Sequence, residues 1–313
     1  MSKSFAFVFP GQGSQSVGML DAWGDHPEVV GTLAEASAAL GEDVGALIKQ
    51  GPKEQLDLTT NTQPVMLTAG IACYRAWIAE TGLVPAVAAG HSLGEYTALV
   101  ASGALSLTDA LPLVRLRAQA MQEAVPVGVG AMSAILGLEA AVVREVCAQV
   151  AVASGEVVEA VNFNDPRQTV IAGSKAGVEQ AMEALKAAGA KRALPLPVSA
   201  PFHSSLMKPA AERLREKLAT VDFKVPAFPV INNIDVAITE GADALRDALY
   251  RQAFGPVRWV EVVQAIKARG LTTVIECGPG KVLAGMAKRI DGEIVSTTVF
   301  DPASLADAKT LLS

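Results

Sequence analysis

The pentapeptide Gly90-His91-Ser92-Leu93-Gly94 constrains the fold more than any other stretch, because it joins a strand-like run of small residues at 86–89 to a helical pattern over 94–101. A G-x-S-x-G sequence at such a junction describes a sharp strand-to-helix elbow, with glycines that let the flanking elements pack closely and a serine lifted clear of the turn. The Ser92 hydroxyl then stands beside a helix N-terminus. Leu93 opens that helix, so its amide lacks an intrahelical partner and is free to donate to an oxyanion. The rest of the amino-terminal half agrees. Residues 5–9 read as a short buried strand ending in the turn Pro10-Gly11-Gln12-Gly13, and helical spacing follows Pro64, read as a first-turn residue, through Leu67, Ile71, Tyr74 and Ile78. Strands alternating with helices predict a largely parallel sheet covered on both faces.

After a helix ending near Glu123, the glycine-bearing stretch 125–130 reads as a linker. The segment beyond it has the order strand (131–136), helix (139–152), strands (157–163 and 169–172), helix (175–188), strand (192–196), which is the β-α-β-β-α-β ferredoxin-like pattern. Strand and helix then alternate again, with a strand at 229–234, helices at 242–252 and 257–268, a strand at 273–276 and a helix after Gly280. The expected fold class is therefore α/β: a large lobe with a mostly parallel sheet from residues 1–127 and 197–313, and a ferredoxin-like small lobe inserted over 128–196. The 313 residues, half of them apolar, exceed the roughly 250 to 300 at which one core stops growing, so two lobes are expected.

Composition narrows the function. With 19% charged residues and a net charge of −6, the chain suits neither disorder nor non-specific binding of polyanions, and nucleic acid is not an expected partner. The five apolar residues at 5–9 fall short of the ~7 to 15 of a signal peptide. The longest uncharged apolar stretch, 124–138, is interrupted by Pro126, Gly128, Gly130 and Gly137 and is too short to span a bilayer. A cytoplasmic protein with no membrane contact is expected. Cys73, Cys147 and Cys277 are odd in number, far apart and among apolar neighbours, so buried inert thiols are expected rather than disulfides or metal ligands.

A serine nucleophile needs a base, and the chain has three histidines. His26 precedes Pro27 in a polar segment and reads as a surface turn, while His91 adjoins Ser92 in a turn that points its ring away. His203, in the loop Ser199-Ala200-Pro201-Phe202-His203-Ser204, remains as the base. Its orienting partner is open: Asp222, Asp235 or a backbone carbonyl would serve. Arg117 is the most informative charge. At about 100° per residue it falls on the arc of Leu113, Val114, Ala118, Ala120 and Met121, opposite Arg115, Gln119 and Gln122. A guanidinium on an apolar face is costly unless an anion meets it, either a substrate carboxylate or an internal Asp or Glu. The turns at Gly11-Gln12-Gly13 and Gly278-Pro279-Gly280-Lys281 do not have nucleotide-loop spacing, since Ser16 stands at the third glycine position of one and Val282 replaces the Ser/Thr of the other.

The segments FPGQGSQ, GHSLGEY, VRLRAQAMQ, VNFNDPRQTVIAG, APFHS and ECGPGKVL occur in this order between residues 5 and 300. Together they resemble the malonyl-CoA:acyl carrier protein transacylases, the discrete type of bacterial fatty acid synthesis. The resemblance implies an α/β-hydrolase-like large lobe, Ser92 as nucleophile, His203 as base, and the amides of Gln12 and Leu93 as the oxyanion hole. It also implies Arg117 as the malonyl carboxylate site, Gln63 in the pocket wall, and the backbone carbonyl of Gln252 as the group orienting His203. Malonyl-CoA and an acidic acyl carrier protein would be the partners of a monomer that needs no metal or redox cofactor. Lys191 with Arg192 and Lys288 with Arg289 are candidate carrier contacts. Two rivals stay in view: a thioesterase, which shares elbow and base, and a non-catalytic carrier-docking or nucleotide-binding protein.

Overall fold

The computed structural model describes residues 3–198 and 200–313; Met1 and Ser2 of the expected large lobe, and Ser199 ahead of His203, lie outside the described residues. The strands in chain order are β1 (Ala6–Phe9), β2 (Val87–Gly90), β3 (Gly130–Leu136), β4 (Val158–Asp165), β5 (Gln168–Ser174), β6 (Arg192–Pro195), β7 (Val230–Ile231), β8 (Thr273–Cys277) and β9 (Val295–Val299). They form two sheets. One is parallel, in the order β7-β2-β1-β8-β9, and the other antiparallel, in the order β4-β5-β3-β6.

The first strand explains the larger sheet. All four residues of β1 are buried, as they must be in a strand covered on both faces. Phe7 and Phe9 turn toward the helix Thr59–Thr81, where they meet Trp77 and Tyr74 edge-on at 5.6 and 6.3 Å. Ala6 and Val8 turn the other way, into a cluster with Trp259, Val262, Val263 and Ile266 of the helix Trp259–Ala268. The smaller sheet carries the helices Ala140–Ser154 and Lys175–Ala187 against a core of Ile135, Val143, Ile171, Val178 and Leu185. Its strand order is that of the ferredoxin-like arrangement, so the chain is an α/β protein with a large parallel and a small antiparallel sheet.

Three local expectations need correction. The helix around Pro64 starts at Thr59, so the proline lies inside it and removes one backbone hydrogen bond. Every residue from 62 to 73 is buried, and that packing outweighs the loss. The strand expected over 229–234 pairs only at Val230–Ile231, because the next two residues use their polar groups elsewhere. The edge strand β9 is unexpected: its sequence VSTTV has only one buried residue and lacks an apolar run.

Among the described residues no helix is long and apolar enough to cross a membrane. Cys73, Cys147 and Cys277 are buried and free.

Candidate active site

Three strand ends bring the site together at one edge of the parallel sheet. β2 turns at His91 and Ser92 into the helix Leu93–Ala101, with Ser92 at φ 52° and ψ −106°. A serine there is strained and must be held. A Cβ on Gly90 would lie 1.9 Å from the backbone of Gly94, and one on Gly94 would lie 2.0 Å from the Phe9 carbonyl oxygen. Both glycines are thus required by the close approach of elbow, helix and β1. Asn233, just beyond β7, clips the turn: its Oδ1 accepts from the Ser92 amide at 2.8 Å and its Nδ2 donates to the Gly90 carbonyl at 2.7 Å.

His203 also has a left-handed backbone, φ 65°, and its ring reaches Ser92. Nε2 lies 2.7 Å from the Ser92 Oγ, and Nδ1 faces the carbonyls of Gln252 at 3.0 Å and Gly255 at 3.1 Å. Two carbonyl acceptors on Nδ1 put the proton there and leave the Nε2 lone pair facing the hydroxyl. Burial, and then the Arg117 charge, push the His203 pKa down to about 3, so the ring is neutral at pH 7. Of the two aspartates considered as its partner, Asp235 gives both oxygens to Arg251 at 2.7 Å and Asp222 is exposed. His91 turns away, with Nε2 2.8 Å from Asn164 Oδ1, and His26 accepts from the Glu28 amide at the start of the helix Pro27–Leu40.

Arg117 lies on the helix Leu107–Glu123, whose first turn is capped by Ser106 accepting from the Asp109 amide at 3.0 Å. It is only 2% exposed. Nη1 donates to Gln63 Oε1 at 2.7 Å, and Nη2 donates to Gln252 Oε1 at 3.1 Å and Ser92 Oγ at 3.2 Å. Among the described residues its hydrogen-bond partners are neutral amides and a hydroxyl, its guanidinium lies 5.4 Å from the centre of the Tyr96 ring, no carboxylate forms an ion pair with it, and Nε has no hydrogen-bond partner. Arg115, across the helix, pairs with Glu42 instead. The Arg117 charge is therefore buried without an ion-pair partner among the described residues, which is the condition for capturing an anion.

A cavity of about 190 Å³ opens over these groups. Gln12, Gln63, His91, Ser92, Leu93, Arg117 and His203 line it from the large sheet's side, and Met132, Asn162, Asn164 and Val170 from the small sheet. The structure thus joins Ser92, His203, Arg117, Gln63 and Gln252 by direct hydrogen bonds and sets Gln12 and Leu93 on the same cavity.

Two residues escaped the sequence reading. Glu95 Oε2 accepts from Gln252 Nε2 at 3.0 Å and from the Asn233 amide at 2.8 Å, while Gln252 Nε2 also donates to the Ser92 carbonyl at 3.0 Å. Burial pushes the Glu95 pKa up to about 7, opposed by the hydrogen bonds from Gln252 and Asn233 and by the Arg117 charge. A signal existed for Glu95, the sole charged residue between Glu80 and Asp109. Asn233 had none.

A hydroxyl facing a neutral base, an amide at a helix N-terminus and a buried cation on one cavity make an arrangement that can carry out nucleophilic chemistry on an acyl group bearing negative charge. A family described as the acyl transferase domain matches residues 6–293. The malonyl CoA-acyl carrier protein transacylase of Escherichia coli (strain K12) is 53% identical over 308 residues, covering 98% of this chain and 99% of that protein. An acyl-carrier-protein S-malonyltransferase from Burkholderia pseudomallei 1710b is 66% identical, with a TM-score of 0.96 over 98% of this chain and 100% of the other. A malonyl-transacylase solved in complex with its type II polyketide acyl carrier protein is 50% identical, with a TM-score of 0.96 over 99% and 100% of the two chains. The chain belongs to the acyl transferase family and, within it, to the malonyl-CoA:acyl carrier protein transacylases.

Proposed function

We propose that this enzyme moves malonyl from coenzyme A to the phosphopantetheine thiol of an acyl carrier protein, through a malonyl ester on Ser92, and so supplies fatty acid synthesis. The observation that carries the reading is a single hydroxyl within 2.7 Å of a neutral histidine and 3.2 Å of a buried guanidinium that has no carboxylate partner among the described residues. His203 Nε2 takes the Ser92 proton as Oγ attacks the thioester carbon. The oxyanion rests on the amides of Gln12 and Leu93, each worth about 10²- to 10³-fold. The C–S bond then breaks and the coenzyme A sulfur leaves with the proton from His203. In the second half the carrier thiol gives its proton to His203 and attacks the ester, the C–O bond breaks, and Ser92 recovers its proton. Every step is acid–base and acyl-transfer chemistry that these groups supply, so the reading calls for no metal or redox cofactor.

The substrate assists its own reaction in this scheme. A malonyl carboxylate on Arg117 offsets the charge that, after burial, does most to weaken His203 as a base. Residues 1–127 and 197–313 form the catalytic lobe of this reading, and the inserted lobe 128–196 closes the cavity over the acyl group. All named groups come from one chain, so a monomer suffices. Buried free thiols suit a reducing compartment, which supports a cytoplasmic location.

Acyl-enzyme partition tests the proposal against a thioesterase. Malonyl-enzyme offered carrier thiol is expected to transfer far faster than it hydrolyses; equal turnover by water would assign a hydrolase. His203→Ala is expected to lower acylation by roughly 10⁴- to 10⁶-fold with an unchanged circular dichroism spectrum. Retained acylation in that variant would move the base elsewhere.

Carrier docking must overcome the net charge of −6, because both partners are acidic. Of the basic pairs, Arg289 is partly committed to Asp165 at 2.8 Å, whereas Lys191, Arg192 and Lys288 are exposed. Charge reversal at Lys288, or at Lys191 with Arg192, is expected to raise the carrier KM several-fold at low salt and spare malonyl-CoA hydrolysis without carrier. Unchanged carrier kinetics in both variants would place docking on another face.

A further inference from the structure

We propose that Glu95 is a positioning residue for malonyl selection, acting through the side chain of Gln252 to hold the Arg117 guanidinium in register with the Ser92 ester. The inference deepens the reading of Arg117 as the carboxylate site and rests on it.

A glutamine side chain has a donor end and an acceptor end, and only its partners decide which end faces where. Here Gln252 Oε1 accepts from Arg117 Nη2 at 3.1 Å, and Nε2 donates to the Ser92 carbonyl at 3.0 Å and Glu95 Oε2 at 3.0 Å. Glu95 and the Ser92 carbonyl offer acceptors, so the amide's NH₂ is drawn to their side and its oxygen is left for Arg117. Rotated by half a turn, the amide would set NH₂ against a guanidinium and oxygen against oxygen. Glu95 is itself fixed by the Asn233 amide on the same Oε2 at 2.8 Å. Glu95 is 2% exposed and Gln252 fully buried, so water does not readily replace either partner.

The geometry also explains how an unspent cation is kept in the core. When ionised, Glu95 offsets part of the Arg117 charge, yet it meets Arg117 through one intervening amide instead of pairing with it. A direct pair would occupy the fork that malonyl needs. Gln252 thereby serves twice, its carbonyl on His203 and its side chain on Arg117.

The test compares kcat/KM for malonyl-CoA and acetyl-CoA in Glu95→Ala, Glu95→Gln and Gln252→Leu. Glu95→Ala removes the side-chain acceptor of Gln252 Nε2 and leaves it the Ser92 carbonyl alone, and Gln252→Leu removes the relay while keeping the carbonyl that serves His203. Both are expected to cut the malonyl-over-acetyl ratio about 10- to 100-fold, the range of a lost hydrogen bond to a charged group. Glu95→Gln presents an oxygen to the same two donors and is expected to keep most of the ratio. A merely structural glutamate would lower both substrates alike and leave the ratio at the wild-type value. If Glu95→Ala does not fold, Gln252→Leu, which cuts the relay itself, decides the matter. A wild-type ratio in folded Glu95→Ala or in Gln252→Leu, with the ratio lost in Arg117→Ala, overturns this inference alone; a ratio kept in Arg117→Ala as well overturns the carboxylate site itself.

Discussion

Ser92→Ala is expected to abolish malonyl transfer, with a loss in kcat on the order of 10⁶-fold, while the fold survives. The hydroxyl is the atom that His203 and Arg117 both address, at 2.7 and 3.2 Å, and alanine offers nothing in its place. Backbone strain at φ 52° is the same for either residue, and the Asn233 clip holds the Ser92 main chain, not its side chain. Elbow and helix should therefore keep their geometry. Steady-state transfer rates with thermal melting check both halves of the expectation. Near-wild-type transfer by a folded variant would remove Ser92 from the chemistry.

Arg117→Ala is expected to change substrate choice more than overall competence. Malonyl differs from acetyl by a terminal carboxylate, and a planar guanidinium pairs with it through charge-assisted hydrogen bonds. Breaking a buried ion pair costs about 3 to 5 kcal/mol, so malonyl transfer should fall roughly 10²- to 10³-fold or somewhat more. Acetyl transfer should hold or rise. The wild-type cation is left unpaired by acetyl, and its removal also relieves one of the causes that weaken His203. Lysine should rescue only in part. Loss of the guanidinium leaves the Oε1 atoms of Gln63 and Gln252 without their donor, a modest stability penalty of about 1 to 3 kcal/mol per unpaired group. Kinetics on the two thioesters read out the preference. A malonyl preference that survives in the alanine variant would make Arg117 a structural residue.

Legibility in the sequence tracked the range of each interaction. The elbow was readable because strand, turn and helix are contiguous, and the glycine contacts that force it lie within a few residues or on the adjoining strand. Arg117 was readable because helical periodicity places it on a buried arc before any partner is known. His203 emerged because three histidines leave few choices. The group orienting its ring did not emerge from residue chemistry, since a backbone carbonyl is common to every position and only the resemblance pointed to Gln252. Glu95 stayed hidden for a different reason. Its partners Asn233 and Gln252 are 138 and 157 positions away, and an acidic residue in the first turn of a helix has an ordinary explanation in the helix dipole. At the level of the fold, β9 was lost because an edge strand exposed on one side needs no apolar run. β7 was overextended because Asn232 and Asn233 break the ladder to serve the loop and the elbow.

The central claim is a malonyl ester on Ser92 that a carrier thiol collects. Intact-mass spectrometry of the protein mixed with malonyl-CoA, with peptide mapping of the product, addresses it most directly. One added malonyl group is expected, carried on Ser92, which disappears on addition of phosphopantetheinylated acyl carrier protein as the same mass appears on the carrier. No adduct, an adduct on another side chain, or an adduct that the carrier leaves in place would contradict it.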